Sequence, residues 1–273
     1  MLIGFINPIC HVNENILILS SMPIISIKKL KRISDKSITK IHSDCKDIIP
    51  FGQLYPTIGI RLTQLNRNMT VLPLATVEQI VGHLLGDGGL AISYTSVNSY
   101  FYFTQTLKRF EYNFFVFASL SFLCEAYPDL QMSVRKGTKV SALRIRTRSY
   151  PGFKSLHKLF YLNNGSLVKG NSYIKFVSED LIHYLTPRAL AYWFMDDGAY
   201  AVSGYYLHTK GFTFLDVYRL AGMLHYKFNL SITVQSHENR PVIYIKSESR
   251  LHFINLIKKY MHPSMMYKLG NKD

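Results

Sequence analysis

Apolar and polar positions along residues 73–273 run through one order of elements twice. "QIVGHLLGDGGL" (79–90) has Ile80, Val81, Leu84 and Leu85 on an apolar run closed by Asp87-Gly88. "ALAYWFMDDGAY" (189–200) is apolar almost all round from Ala189 to Met195, then closed by Asp196, Asp197 and Gly198. Each predicts a short buried helix. Thr186-Pro187 reads as an N-cap followed by proline at the first helical position. Thr76 with Gln79 three residues on reads as a capping box. Gly198 reads as a C′ residue in the left-handed conformation that closes a helix. A carboxylate at a helix C-terminus faces a partial negative charge and costs roughly 0.3–1 kcal/mol. Two such ends therefore call for a positive partner, and a divalent metal is the strongest candidate.

The segments downstream match as well. "YFYFTQT" (100–106) and "YYLHTKG" (205–211) alternate like strands. Helical patterns follow at 109–123 and 213–228. "LQMSVRK" turns at Gly137-Thr138 into "KVSALRIRTR", and "SITVQS" turns at "HENRP" into "VIYIKS". Helices at 153–161 and 250–260 come next, then a short segment carrying a lysine: Lys175 in "YIKFV", Lys268 in "MMYKL". The order helix–strand–strand–helix–strand–strand–helix occurs twice. It predicts an α+β fold with a first half over 73–177 and a second over 178–273, preceded by an extension over 1–72 that is in part disordered.

Side-chain period on the strands adds a basic surface. Arg144, Arg146 and Arg148 are spaced by two and share one strand face, with Leu143 and Ile145 opposite. Arg135, Lys136 and Lys139 lie at the neighbouring turn. In the second half Tyr244 and Lys246 share a face opposite Ile243 and Ile245, with Gln235 and Arg240 nearby. An antiparallel sheet with one basic, polar face fits a DNA major groove. An ordinary solvated face is the bland alternative.

Composition narrows the partner. The net charge of +15 over 273 residues points to a polyanion: nucleic acid first, an acidic membrane surface second. A membrane-surface protein would explain the charge but not the repeat. "ILILSSMPIISI" (16–27) is twelve residues long and carries Pro23, too short for a spanning helix of about 20 residues. It lacks the basic start of a signal peptide. The basic run at 28–40 reads as a solvated or disordered arm. Cys10, Cys45 and Cys124 fit neither a disulfide framework nor a zinc motif. His83, inside the first apolar run, reads as a packed residue in preference to a ligand. Abundant Ile, Asn and Lys hint at an AT-rich organellar genome.

On these residues the chain resembles the LAGLIDADG homing endonucleases and their group I intron maturase relatives. The motifs stand as Ile80-Val81-Gly82-His83-Leu84-Leu85-Gly86-Asp87-Gly88 and Leu190-Ala191-Tyr192-Trp193-Phe194-Met195-Asp196-Asp197-Gly198. The second half also looks like the omega-type mitochondrial members, through "YLTPRALAYWFMDDG" and "PSMMYKL". The resemblance covers roughly residues 75–270. It implies two pseudo-symmetric αββαββα halves, saddle-shaped antiparallel sheets on double-stranded DNA, and two central helices packed through Gly82, Gly86 and Ala191. It implies Asp87 and Asp197 as ligands of Mg2+, with Mn2+ as a substitute, helped by the main chain of Gly86 and Asp196. Asp196 itself either packs behind Asp197 or is exposed. Lys175 and Lys268 would orient or activate water, steady the phosphorane charge, or position a phosphate. Gln105 matches the family's polar position after the first strand, and Lys210 stands where its partner would be glutamine. The implied activity is a double-strand break with short 3′ overhangs by a mitochondrial monomer. The alternative is a maturase binding intron RNA, and no membrane is involved in either.

Overall fold

The computed structural model describes residues 57–92, 97–135, 138–163, 173–209 and 211–270. The apolar stretch at 16–27, the basic run at 28–40, Cys10, Cys45, Lys136, Gly137 and Lys210 lie outside them. Of the expected extension, residues 57–72 are described, and they hold a short helix, α1 (Gln64–Met69).

The first half runs α2 (Leu74–Leu85), β1 (Gly88–Ile92), β2 (Ser99–Thr106), α3 (Phe110–Leu120), β3 (Asp129–Arg135), β4 (Thr138–Arg146) and α4 (Phe153–Phe160). A small hairpin, β5 (Tyr161–Asn163) with β6 (Tyr173–Lys175), and a single turn, α5 (Leu181–Tyr184), lead to the second half. That half repeats the order: α6 (Pro187–Asp197), β7 (Gly198–Ala201), β8 (Gly204–His208), α7 (Phe214–Phe228), β9 (Ile232–His237), β10 (Arg240–Ile245) and α8 (Arg250–Ile257). The two sheets have the same antiparallel topology, β1-β2-β4-β3 and β7-β8-β10-β9. The fold is α+β, and the duplicated order read from the sequence is present in both halves.

Strand alternation divides each sheet into a core face and an open face. In β2, Ser99, Phe101, Phe103 and Gln105 are buried, while Tyr100, Tyr102, Thr104 and Thr106 are half-buried. In β8, Tyr205 and Leu207 are buried, and Tyr206 and His208 are half-buried. The buried faces pack on their own helices: Phe103 meets Tyr112 edge to face, and Phe194 meets Tyr205 and Phe253 the same way. The β9–β10 hairpin turns on Glu238 and Asn239, both at positive φ (51° and 59°), a pair of left-handed residues that suits a two-residue hairpin turn.

The central helices α2 and α6 form the seam between halves. A Cβ at Gly82 would stand 2.4 Å from the Ala189 carbonyl oxygen and 2.6 Å from Tyr192 Cβ. One at Gly86 would stand 2.5 Å from Asp196 Cβ. The seam on α6 is thus Ala189, Tyr192 and Asp196, spaced three and four apart, which is one helical face. Ala191, expected at the interface, is two residues on from Ala189 and so about 200° round the helix. It is buried, but away from that seam. Glu78 and Arg188 join the two helices near their start at 3.2 Å.

Helix ends differ in part from expectation. Thr186 caps α6 by accepting from the Ala189 N–H at 3.2 Å, with Pro187 at the first helical position. The capping box at Thr76 does not form, because α2 begins at Leu74, after Pro73. Thr76 is buried inside the helix, and Gln79 instead donates to Ser119 Oγ at 2.8 Å. Gly198 is not left-handed: its φ is −78° and its ψ 149°, the extended start of β7. Lack of space requires glycine there, since a Cβ would fall 2.1 Å from Phe194 Cδ2.

Close approach at Gly82 gives a direct test. Alanine normally favours a helix over glycine by about 1 kcal/mol. Here Gly82→Ala is expected to lower stability to urea by about 1–3 kcal/mol, because the methyl group overpacks a seam with no free volume. Unchanged or increased stability would show that the two helices are not in such close contact.

Candidate active site

Asp197 is the last residue of α6, and Asp87 lies two residues past the end of α2. The seam brings both to one cavity, which Lys175 and Thr209 also line. Burial pushes the Asp197 carboxyl up to about 7, with the charges of Asp87 and Asp196 adding to the effect and Lys268 and Lys175 opposing it. Burial likewise pushes Asp87 up to about 6, again with Asp196 adding; a hydrogen bond from Gln105 and the charges of Arg109 and Lys268 oppose. Asp87 keeps one side open to solvent.

The lysines at matching places in the repeat have different surroundings. Lys268 sits in a 3-10 segment, Pro263–Leu269, and is 6% exposed. Its Nζ donates to the carbonyls of Met195 (2.6 Å), Asp196 (3.0 Å) and Phe194 (3.4 Å). These belong to the last turn of α6, where carbonyls lack helical partners. Lys268 is therefore a positive cap on the negative end of α6, supplied from about 70 residues away in sequence. It also occupies the Asp196 carbonyl, which had been expected to face a metal. Lys175 ends β6 with its Nζ 4.9 Å from the centre of the Phe212 ring. Burial lowers both lysines to about 8; nearby aspartates oppose this at each, and Arg109 adds to it at Lys268.

Gln105 donates from Nε2 to Asp87 Oδ2, and Arg109 donates to Gln105 Oε1 at 3.3 Å. Strand register identifies the second-half equivalent. Gly88 pairs with Phe103 and Gly198 with Leu207, so two residues further on Gln105 corresponds to Thr209. The expected partner, Lys210, is one position off. Thr209 is 1% exposed and donates to the Pro241 carbonyl at 2.5 Å. Asp197 thus has no amide equivalent to that of Gln105 at this strand position.

Asp196 is not exposed: it is buried between the halves. Its Oδ2 pairs with His83 Nδ1 at 2.8 Å and accepts a longer bond from the Asp87 N–H at 3.4 Å. Its Oδ1 accepts from the Tyr112 hydroxyl at 2.8 Å. His83 is packed, as expected, among the rings of Phe103 (4.4 Å) and Tyr192 (5.0 Å). The only sequence signal for this cluster was a polar residue in each apolar run.

The open face of the first sheet carries Arg144 and Arg146, which register places across from Thr104 and Tyr102. The Arg146 guanidinium lies 4.3 Å from the Tyr100 ring and that of Arg144 5.2 Å from the Tyr102 ring. Arg148 does not join them. The strand ends at Arg146, and Arg148 turns inward, 8% exposed. Its guanidinium donates to Thr57 Oγ1 (2.6 Å), the Cys124 carbonyl (2.5 Å) and the carbonyls of Thr57 (2.9 Å) and Ile60 (2.6 Å). Four acceptors hold a buried cation there, which excludes it from any groove. Lys139 pairs with Val134 and alternates with Leu143 and Ile145, so it lies on the opposite sheet face from Arg144. Arg135 closes β3 opposite Thr138.

In the second sheet Arg240 and Tyr244 share the open face with Gln235 and Tyr206, while Val242, in the same alternation, is buried. Lys246 lies one residue past β10 and is half-buried. Register makes Val242 the equivalent of Arg144 and Tyr244 the equivalent of Arg146. The first face therefore carries two arginines at positions where the second sheet has a valine and a tyrosine.

Among the described residues no group of three or more His, Cys, Asp or Glu side chains gathers to hold a metal unaided. The donor set nonetheless fits a hard divalent cation. The Asp87 carboxylate raises the proton affinity of Asp197 in the shared cavity, and oxygen ligands of this kind suit Mg2+ or Mn2+ with further oxygens from water or phosphate. No helix of the described residues is long and apolar enough to cross a membrane.

A sequence profile of the LAGLIDADG DNA endonuclease family matches residues 77–253. The chain is 33% identical over 214 residues to the cytochrome b mRNA maturase bI2 of Saccharomyces cerevisiae, covering 76% of this chain and 50% of that protein. It thus spans about half the length of that relative. It is 38% identical over 128 residues to the intron-encoded endonuclease ai4 of Dictyostelium discoideum, covering 46% of this chain and 76% of the relative. The solved structure of the homing endonuclease I-WcaI bound to its DNA recognition sequence superposes with a TM-score of 0.68 at 27% identity, covering 81% of this chain and 98% of that one.

Raised carboxylate pKa values have a consequence for stability. Asp197 has a reference value of 3.8, so between there and about 7 the folded state binds more protons than the unfolded state. Metal-free stability should then fall as pH rises through that window. Asp197→Asn is expected to stabilise the metal-free protein by about 1–2 kcal/mol above pH 7, with the difference vanishing below about pH 4. Urea unfolding in chelator at both pH values measures it. Equal destabilisation at the two would contradict the charge argument.

Proposed function

The chain belongs to the LAGLIDADG DNA endonuclease family, and from that premise we propose that it cuts both strands of a long double-stranded DNA site with a divalent metal. The observation that carries this reading is the meeting of Asp87 and Asp197 in one cavity at the paired helix ends. A DNA-binding protein without catalysis has no need of such a pair.

Asp87 and Asp197 would hold the metal, Mg2+ with Mn2+ as a substitute. A divalent cation held there would supply charge stabilisation for the attacking and leaving oxygens of phosphodiester hydrolysis. Gln105 holds one oxygen of Asp87 and leaves the other for ligation, while Arg109 fixes the Gln105 amide. Lys175, beside both carboxylates, is the cation best situated to steady phosphate charge or orient a water. Lys268 keeps the α6 end in place and acts on the reaction through that end.

DNA would lie along the open sheet faces. Arg144 and Arg146 would grip one half-site, with their guanidinium groups steadied by Tyr102 and Tyr100. Arg240, Gln235, Tyr244 and Lys246 would contact the other. The working unit is a monomer with two halves, 73–177 and 178–273, acting in a mitochondrion. The maturase relative favours a second reading, in which the same faces bind intron RNA and assist splicing. The carboxylate pair supports cleavage over splicing alone.

Asp87→Asn or Asp197→Asn is expected to abolish double-strand cleavage and leave duplex affinity in chelator within about threefold. Wild-type cutting of both strands by either variant in Mg2+ would sink the assignment. Arg144→Ala and Arg146→Ala separate two modes of contact. Loss of a phosphate contact should weaken binding to all sequences and reduce the salt slope by about one unit. Loss of a guanine contact should cost about 1–3 kcal/mol and relax preference at one position. Unchanged affinity and specificity in both variants would mean that this face does not meet DNA.

A further inference from the structure

Asp196 makes contacts that neither metal binding nor helix capping explains. It precedes Asp197, so its main chain carries one of the paired carboxylates. Its side chain crosses the seam to the other half and accepts the Asp87 N–H. His83 on α2 and Tyr112 on α3 hold the same carboxylate from the first half at 2.8 Å each. From behind, Lys268 donates to the Asp196 carbonyl at 3.0 Å. The carboxylate packs directly over Gly86, where a Cβ would lie 2.8 Å from Oδ2. The equivalent residue in the first motif is Gly86 itself, so a single carboxylate serves the whole junction.

A buried carboxylate must be fully hydrogen-bonded to be tolerated. Its three partners, His83, Tyr112 and the Asp87 N–H, all belong to the first half. Moving Asp196 would therefore shift Asp87 through its N–H and Asp197 through the chain. We propose that Asp196 is a positioning residue that fixes the separation of Asp87 and Asp197, and so sets how tightly the pair holds a divalent cation. The proposal rests on the metal-binding reading of that pair.

Asp196→Asn keeps the size but sets an amide donor against groups that all donate to the carboxylate. Gly86→Ala leaves Asp196 intact and displaces it from the other side. Calcium, an oxygen-preferring cation, serves as the probe. It is titrated calorimetrically into the protein bound to its selected target duplex, and duplex affinity is measured separately in chelator. Both variants are expected to weaken calcium binding about tenfold or more, with duplex affinity within about twofold of wild type. The Mg2+ midpoint for cleavage should rise in parallel. If Asp196→Asn does not fold, Gly86→Ala and Tyr112→Phe carry the comparison, with Tyr112→Phe giving a smaller loss in the same direction. Wild-type calcium affinity in the folded variants would overturn the positioning role alone. Equal losses of calcium and duplex binding would overturn it too, as general loosening. No calcium uptake by the wild-type complex would instead remove the metal-binding reading on which it rests.

Discussion

The C-terminal ends of two helices meet at the seam, and three aspartates stand there. Helix dipoles and carboxylates are of one sign, so the arrangement is electrostatically unfavourable unless something opposes it. The protein opposes it in several ways. Lys268 caps the carbonyls of α6, Gln105 and Arg109 attend Asp87, and His83 and Tyr112 hold Asp196. What is left uncompensated is concentrated on Asp87 and Asp197, whose carboxyls are held above the ordinary range. That remaining negative charge is where the proposed divalent cation would be held. The glycine contacts at Gly82 and Gly86 make this convergence possible, because any side chain there would separate the helix ends.

A duplicated fold does not give duplicated chemistry. The sheets share a topology, yet the open face of one has arginines where the other sheet has Val242 and Tyr244. Asp87 has an amide partner, whereas the equivalent strand position near Asp197 holds Thr209, bonded elsewhere. Lys268 is committed to carbonyls, while Lys175 lies over an aromatic ring beside the carboxylates. An asymmetric DNA site suits such a molecule better than a palindrome, since its two halves offer different contacts.

Much of the fold was legible because it is governed by local period. Alternation marked the strands around Phe101–Phe103 and Ile243–Ile245, and Thr186-Pro187 marked the start of α6. The aspartate pair was legible for the same reason: each closes an apolar run. Features set by long-range contact were not. Arg148 continues the period of Arg144 and Arg146, and only the end of β4 turns it inward to Thr57. Ala191 is as small as Ala189, and helical phase alone decides which meets Gly82. The partner of Gln105 depended on register across β7 and β8, which spacing along the chain cannot give. Lys268 as a cap, and Asp196 as the centre of a buried cluster, depended on residues brought together from opposite ends of the fold.

Anomalous diffraction from Mn2+ in crystals of the protein with its target duplex tests the central claim most directly. The expected result is anomalous density at the Asp87 and Asp197 carboxylates, shared with phosphate oxygens of the DNA. Manganese bound only elsewhere, with both carboxylates turned away from the phosphates, would contradict the account.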